Sequence, residues 1–322
     1  MLVVSNLALT DAHRAAVREV DQGLRLAVVD GAAADPYGVH LQEMEVAFCA
    51  RTMPASVLST APRLRWVHTT AAGVDGVEAT GLLNPRFELT LSNGVHALPM
   101  AEHVLWAMLS LARQGPAMLR AQRDHCWLKD PAHPLASELH GQTLGVISLG
   151  AIGTECGRRA KQFGMRVIGT RRTATAGNPP DWVDELVLLT RPDRLLSESD
   201  FLLLAVPLTA VTRGLIGATQ LARMKLGSFL INISRGELVD DAALIEALAS
   251  GHLGGAALDV FATEPLPASS PFWDLPNVIV TPHASGSSNR QIDRCVDLFC
   301  ENLGRYLTGR ELLNRYDREH DY

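Results

Sequence analysis

The sequence predicts an α/β fold of two doubly wound domains, each built on a parallel sheet. Three observations carry that expectation. Short runs of Val, Ile and Leu recur along nearly the whole chain, stretches of helical pattern separate them, and 322 residues suffice for two domains. A run that is apolar at every position, not at alternate ones, fits a parallel strand buried on both faces. With 47% hydrophobic and 20% charged residues, the chain has ample apolar side chains for two cores.

The first series of strands is "LVVS" (2–5), "RLAVV" (25–29), "EVAFC" (45–49), "LRWVH" (64–68) and "FELTL" (87–91). The residues after the first run read as a capped helix, so the N-terminus does not resemble a secretory leader. The stretch "HALPMAEHVLWAMLSLARQ" (96–114) follows, with Pro99 suited to a first helical turn. Leu98, Met100, Val104, Leu105, Met108, Leu109 and Leu111 do not fit one stripe, so this helix is either a core helix or part of a subunit interface. Residues 115–142 are polar and read as an arm or linker. The second series is "TLGVIS" (143–148), "MRVIG" (165–169), "FLLLAV" (201–206), "SFLINI" (228–233), "GAALDV" (255–260) and "NVIVT" (277–281).

Bulk properties exclude several classes. With 29 basic and 35 acidic residues the net charge is −6, which offers no nucleic-acid partner. The longest apolar runs are far too short to span a membrane. Five cysteines, Cys49, Cys126, Cys156, Cys295 and Cys300, form no CxxC pair and no metal-like spacing. They read as reduced thiols, so no metal site and a cytoplasmic location are expected.

Between the strand at 143 and the helix that follows lies "SLGAIG" (148–153), a G-x-G-x-x-G outline with Ser148 in place of its first glycine. Gly150 would let backbone approach a pyrophosphate at the helix N-terminus formed with Ala151 and Ile152, and Gly153 would permit close helix–strand packing. The alternative is a plain strand-to-helix turn. Twenty residues after Gly150, where an acid would bind a ribose 2′-hydroxyl, stand Thr170, Arg171 and Arg172. Two guanidinium groups there read either as a solvated basic loop or as a grip on a 2′-phosphate, which is NADP rather than NAD.

Three titratable groups leave the ends of three later strands. Arg235 follows "LINIS", Glu264 follows "GAALDVFAT", and His283 follows "NVIVTP". Open α/β sheets bind ligands at those strand ends, so the set suits an active site better than a core. Asp240 or Asp241 can cap the helix after Arg235, which carries Leu244 and Leu248 and stops at Gly251.

The stretches 229–267 and 277–286, with strand-R-G, "LDVF…EP" and "T-P-H", resemble the D-isomer-specific 2-hydroxyacid dehydrogenase family, and the likeness runs along nearly the whole chain. It implies a Rossmann cofactor domain, residues 97–286, inserted in a flavodoxin-like substrate domain made of 1–96 and 287–322. It implies an NADP-linked reductase of small 2-keto acids, of the glyoxylate or hydroxypyruvate type, with NAD possible. Catalytic residues would be His283 as general acid, Glu264 holding its imidazole, and Arg235 clamping the substrate carboxylate. Cofactor contacts would come from Gly150, Ala151, Ile152, Gly153, Thr170, Arg171, Arg172, Val206, Pro207, Ile233, Ser234, Arg235, Asp259, His283 and Gly286. "TTAAGVDGV" (69–77) resembles the substrate loop, with Ala72, Gly73 and Val74 meeting the carboxylate. Glu102 and His103 are read as structural, and His96 as a residue facing substrate. A homodimer is implied, and an active-site cleft whose closure excludes water. The alternatives are another dehydrogenase using NAD, such as a short phosphoglycerate dehydrogenase, or a nucleotide-sensing corepressor on the same fold.

Overall fold

A computed structural model describes residues 1–30, 37–50, 53–73, 82–128, 136–171 and 179–317. The chain divides into two compact units, one formed by Met1–His96 with Ser288–Tyr322, the other by Ala97–Ser287.

In the first unit, strands β1 (Leu2–Ser5), β2 (Arg25–Val28), β3 (Met44–Cys49), β4 (Trp66–Thr69) and β5 (Glu88–Leu91) form one parallel sheet in the order β2-β1-β3-β4-β5. That order reverses direction at β1 and is the flavodoxin-like winding. Helix α1 (Asp11–Val20) is capped by Thr10, whose hydroxyl accepts from His13 N–H. Alternate side chains of β1, β3 and β4 enter two separate apolar clusters, so both faces of the sheet are covered. Helix α2 spans Ala55–Thr60. The last long helix, α9 (Gln291–Leu307), belongs to this unit and stacks Phe299 on Phe48 with centroids 4.2 Å apart. Beyond it the chain returns to the edge of β5, where Leu91 N–H donates to Asn314 O and Tyr316 N–H to Leu89 O.

The second unit holds a seven-stranded parallel sheet in the order β12-β11-β10-β9-β6-β7-β8. Its strands are β6 (Thr143–Ile147), β7 (Arg166–Arg171), β8 (Glu185–Leu188), β9 (Phe201–Leu204), β10 (Phe229–Asn232), β11 (Gly255–Leu258) and β12 (Val278–Val280). The winding reverses between β6 and β9, which makes that junction the switch point of a Rossmann sheet. Pattern and burial agree along each strand. Leu202 and Leu204 pack into one core and Phe201 and Leu203 into the other, just as Ile147 and Val146 do. Helices α3 (Ala97–Ala112) and α5 (Ala151–Gln162) cover one face, while α6 (Asp193–Glu198), α7 (Ala218–Arg223) and α8 (Asp241–Ala249) cover the other.

Two elements lie outside the sequence expectation. Helix α4 (Gly115–Arg123) forms where an arm or linker was expected, starting at Gly115-Pro116 and burying no side chain. Strand β8 sits at the sheet edge, only partly buried, and its "ELVL" is too short to stand out as a core run. Among the described residues, no helix is long and apolar enough to cross a membrane.

Candidate active site

The turn after β6 is built around a positive backbone angle. Ser148 has φ +79°, the left-handed region where a glycine is normally required. The missing glycine is therefore a conformational demand that Ser148 meets under strain. Its N–H donates to Thr170 Oγ1 at 2.8 Å, and Leu149 N–H donates to Thr170 O at 3.0 Å. Thr170 is fully buried, so it braces the turn from beneath instead of lining its open side. Gly153 is buried against the turn, and a Cβ there would lie 2.1 Å from Ser148 O. Gly150 is exposed and open, with only Ser148 Oγ, 3.9 Å away, near a Cβ built on it.

These residues fit a dinucleotide. Gly150 caps α5 without any side-chain cap hydrogen bond, and the first turn of the helix carries no acid. The backbone N–H groups of that turn and the positive end of the helix dipole thus face an uncrowded surface, the arrangement that receives phosphate. Gly169 pairs with Val146, which carries Arg171 to the level of the turn with no carboxylate at the end of β7. Arg172 lies outside the described residues.

Three loops at the carboxyl ends of β10, β11 and β12 carry Arg235, Glu264 and His283. Asn232, buried at the end of β10, donates from Nδ2 to Arg235 O at 2.9 Å and accepts Ser234 N–H at Oδ1, 3.1 Å. A single amide side chain therefore sets the backbone of Ser234 and Arg235, with Ile233 buried beside them. The Arg235 guanidinium donates from Nη1 to Ser234 O at 2.7 Å. Gly236 is packed so tightly on the next loop that a Cβ would lie 1.9 Å from the carbonyl carbon of Phe261. Only glycine brings the Arg235 and Glu264 loops this close.

Glu264 uses both oxygens. Oε1 accepts Phe261 N–H at 2.9 Å, anchoring the carboxylate to its own loop, and Oε2 lies 2.8 Å from His283 Nδ1. Both side chains are substantially exposed, at 36% and 48%. His283 has φ +52°, and its N–H donates to Asp259 O at 2.8 Å, so the ring is held by its backbone as well as by Glu264.

Asp259 organises the loop after β12. It is 1% exposed and accepts from Thr281 Oγ1 at 2.6 Å, Ala284 N–H at 2.9 Å and Ser285 N–H at 2.9 Å. Burial pushes its carboxyl up, but the hydrogen bonds from Ser285, Thr281 and Ala284 outweigh this and hold it below the ordinary carboxylate value. His103, half-buried on α3, lies 3.4 Å from the Thr281 hydroxyl and tilts against Trp106. Burial lowers its pKa, opposed by the charge of Asp259.

Of the remaining residues expected at the site, Val206 is buried and Pro207 exposed just beyond β9, and Gly286 lies two residues beyond Ala284 in the Asp259-bound loop. In the first unit, Ala72 and Gly73 follow β4, while Val74 lies outside the described residues. Sequence reasoning gave Asn232 no role and met Gly236 and Thr281 only as members of the strand-R-G and T-P-H motifs. An asparagine ending an otherwise apolar strand was the available signal for the first. Nothing short of the packing reveals the closeness at Gly236.

A nucleotide-binding Rossmann turn joined to a carboxylate–histidine pair defines an NAD(P)-dependent oxidoreductase, and comparison with known proteins places it further. The model of the family "D-isomer specific 2-hydroxyacid dehydrogenase, NAD binding domain" matches residues 105–285. A glyoxylate reductase of Korarchaeum cryptofilum is 37% identical over 262 residues, 79% of this chain and 76% of its own length. A D-3-phosphoglycerate dehydrogenase of Mycobacterium tuberculosis is 35% identical over 81% of this chain, but the match spans 48% of that longer relative. An NADPH-dependent glyoxylate/hydroxypyruvate reductase of Sinorhizobium meliloti, solved with NADP and sulfate, superposes with a TM-score of 0.81 at 29% identity, covering 100% of this chain and 99% of its own. The chain belongs to the D-isomer-specific 2-hydroxyacid dehydrogenases, and its second unit contains the family's NAD-binding domain.

Proposed function

We propose that the protein reduces small 2-keto acids of the glyoxylate or hydroxypyruvate type to D-2-hydroxy acids with NADPH, NAD(H) being the weaker alternative. The observation that carries this reading is the Glu264–His283 pair, 2.8 Å apart at strand ends of a family member whose Arg235 stands one loop away. Gly150, Ala151, Ile152 and Gly153 would hold the pyrophosphate, and Arg171 with Arg172 the 2′-phosphate. The reduced nicotinamide, when bound, supplies the hydride. With Nδ1 committed to Glu264, the proton available for transfer sits on His283 Nε2 and goes to the 2-keto oxygen. Glu264 stabilises the imidazolium before transfer and keeps the tautomer after it. Arg235 binds the carboxylate through its planar fork, and the family resemblance gives Ala72 and Gly73 a substrate-binding role through backbone N–H groups. The related reductases named above support both substrate class and cofactor.

The same reading includes a homodimer in a reducing cytoplasm, where the five free thiols would persist. Along α3, Leu98, Glu102, Leu105, Trp106 and Leu109 recur at helical spacing on one outward face, and Arg113 follows just past the helix end. There Trp106 is 47% exposed, and Glu102, Leu105, Trp106, Leu109 and Arg113, with Ser110 and Phe163, line a groove of about 570 Å³. An apolar helix face of that kind fits a second copy of the chain.

The test is His283→Ala, assayed with glyoxylate, hydroxypyruvate, pyruvate and phenylpyruvate, each with NADPH and NADH. NADPH affinity should hold while turnover falls by about 10²–10⁴. Near-normal turnover removes His283 from the mechanism, and a preference for NADH overturns the role given to Arg171 and Arg172.

A further inference from the structure

The first unit buries a histidine that the proposed chemistry does not use. His68 lies in β4, fully enclosed, its side chain between Trp66, Phe48 and Phe299 on one side and the hydroxyls of Thr90 and Ser92 on the other. Its neighbours decide where every proton sits. Trp66 Nε1 can only donate, and does so to Thr90 Oγ1 at 2.8 Å. The Thr69 carbonyl can only accept, and takes the Ser92 hydroxyl proton at 2.8 Å. Ser92 Oγ, its proton spent, is an acceptor toward His68 Nε2 at 3.3 Å, so Nε2 carries the hydrogen. Nδ1 is then bare and accepts from the Thr90 hydroxyl at 2.7 Å. The result is one unbroken directional chain, Trp66 to Thr90 to His68 to Ser92 to Thr69, with no unsatisfied member. Desolvation supports the neutral ring it requires, holding the His68 pKa at about 3.

The chain ends where the backbone leaves the sheet. Ser92 N–H donates to Ala71 O at 2.8 Å, Ala71 N–H to Thr69 Oγ1 at 3.2 Å, and Thr69 Oγ1 to Ala50 O at 3.3 Å. Residues 69–71 are thus pinned on several sides immediately before Ala72 and Gly73. An apolar residue at position 68 would fill the same space between the aromatic rings, but it would not commit the Ser92 hydroxyl, which Cys295 also contacts, to the Thr69 carbonyl. Fully satisfied buried polar networks rigidify what they hold.

We propose that His68, as the neutral Nε2–H tautomer, is a positioning residue that sets the backbone of the substrate loop through Ser92. The proposal rests on the reading of Ala72 and Gly73 as substrate-binding, and the experiment separates the two. Full-length His68→Leu, His68→Gln, Ser92→Ala and Gly73→Val are assayed at saturating NADPH with the fastest keto acid of the panel, alongside NADPH affinity by fluorescence titration. A displaced binding loop weakens ground state and transition state alike, so KM should rise about ten- to a hundred-fold in His68→Leu and Ser92→Ala with kcat nearly kept. NADPH affinity should not move, and His68→Gln, whose amide N–H replaces Nε2–H, should stay within about three-fold of the parent KM. Nitrogen-15 NMR of the histidine ring, assigned with the Gln variant, should report the Nε2–H tautomer. If Gly73→Val leaves KM unchanged, the loop reading fails and this proposal with it. A raised KM in Gly73→Val with parent values in both Ser92→Ala and His68→Leu, or an Nδ1–H tautomer, overturns the role of His68 alone. Ser92→Ala decides the matter should His68→Leu fail to fold.

Discussion

The two glycines of the turn after β6 should separate binding from folding when each is replaced by alanine. At Gly153 the new methyl lands 2.1 Å from Ser148 O and 2.9 Å from Val146 Cγ1, more than an ångström inside van der Waals contact with backbone. The Ser148 carbonyl has little freedom to retreat, because its own N–H is held by Thr170 and its φ is already +79°. Overpacking of this kind costs about 1–3 kcal/mol, and contact with backbone places it at the upper end. The helix-propensity gain of alanine over glycine returns about 1 kcal/mol, leaving a net loss of about 2 kcal/mol. For a unit of this size that is a fall in Tm of about 4–8 °C. At Gly150 the nearest atom to the methyl is 3.9 Å away and φ is −73°, so folding should be unaffected. The methyl instead occupies the open ground over the N-terminus of α5, and NADPH affinity should fall about ten- to a hundred-fold, about 1.4–2.8 kcal/mol. Thermal melting and calorimetric titration of both variants read the two effects. A Gly150→Ala protein that binds NADPH as tightly as its parent would refute the cradle, and an unshifted Tm in Gly153→Ala would refute the packing argument.

Ser148→Gly should raise Tm. Relief of the left-handed strain, about 1–2 kcal/mol, exceeds the added unfolded-state entropy of glycine, about 0.4–1 kcal/mol, so a drop in Tm would contradict the strain. Asp259→Asn keeps one acceptor oxygen and turns an NH₂ group toward a former donor, costing about 1.5–3 kcal/mol for the lost charged hydrogen bond and lowering Tm by several degrees. Because the folded Asp259 pKa is depressed, its contribution is complete above the unfolded value near about 4 and is lost as pH falls through the folded one. The Tm gap between parent and variant should therefore close in acid, and a gap that is constant from neutral pH down to about 2 would show that the carboxylate's charge contributes nothing. Trp106→Glu places a charge on the exposed face of α3 and should break the proposed homodimer into monomers in sedimentation, whereas an unchanged mass would remove that face from the proposed interface.

What could be read from the sequence, and what could not, follows from the range of the interactions involved. Strands such as "FLLL" are legible because both faces of a parallel sheet demand apolar residues at successive positions, and Leu202 with Phe201 meets that demand in two cores. Glu264 and His283 were legible as a set because loops at strand ends converge whatever their separation in sequence. Helix α4 was not, since it buries nothing and leaves no apolar stripe to find. Ser148 and Thr170 mark the sharper boundary. Read in one dimension, Ser148 is a missing glycine and Thr170 a residue at the place of the ribose acid. In three dimensions one takes on the glycine's left-handed backbone and the other holds it there through a buried hydroxyl. A fingerprint glycine is thus a demand for a conformation, and a serine satisfies it when the neighbouring strand supplies an acceptor at the right register. The same logic explains why the roles of Asn232, Thr281 and His68 went unread. Each is a polar residue whose meaning lies in which backbone group it reaches, and that depends on strand pairing no local pattern records. Titratable residues at strand ends could be picked out by type alone; contacts made through backbone groups appear only once the register is fixed.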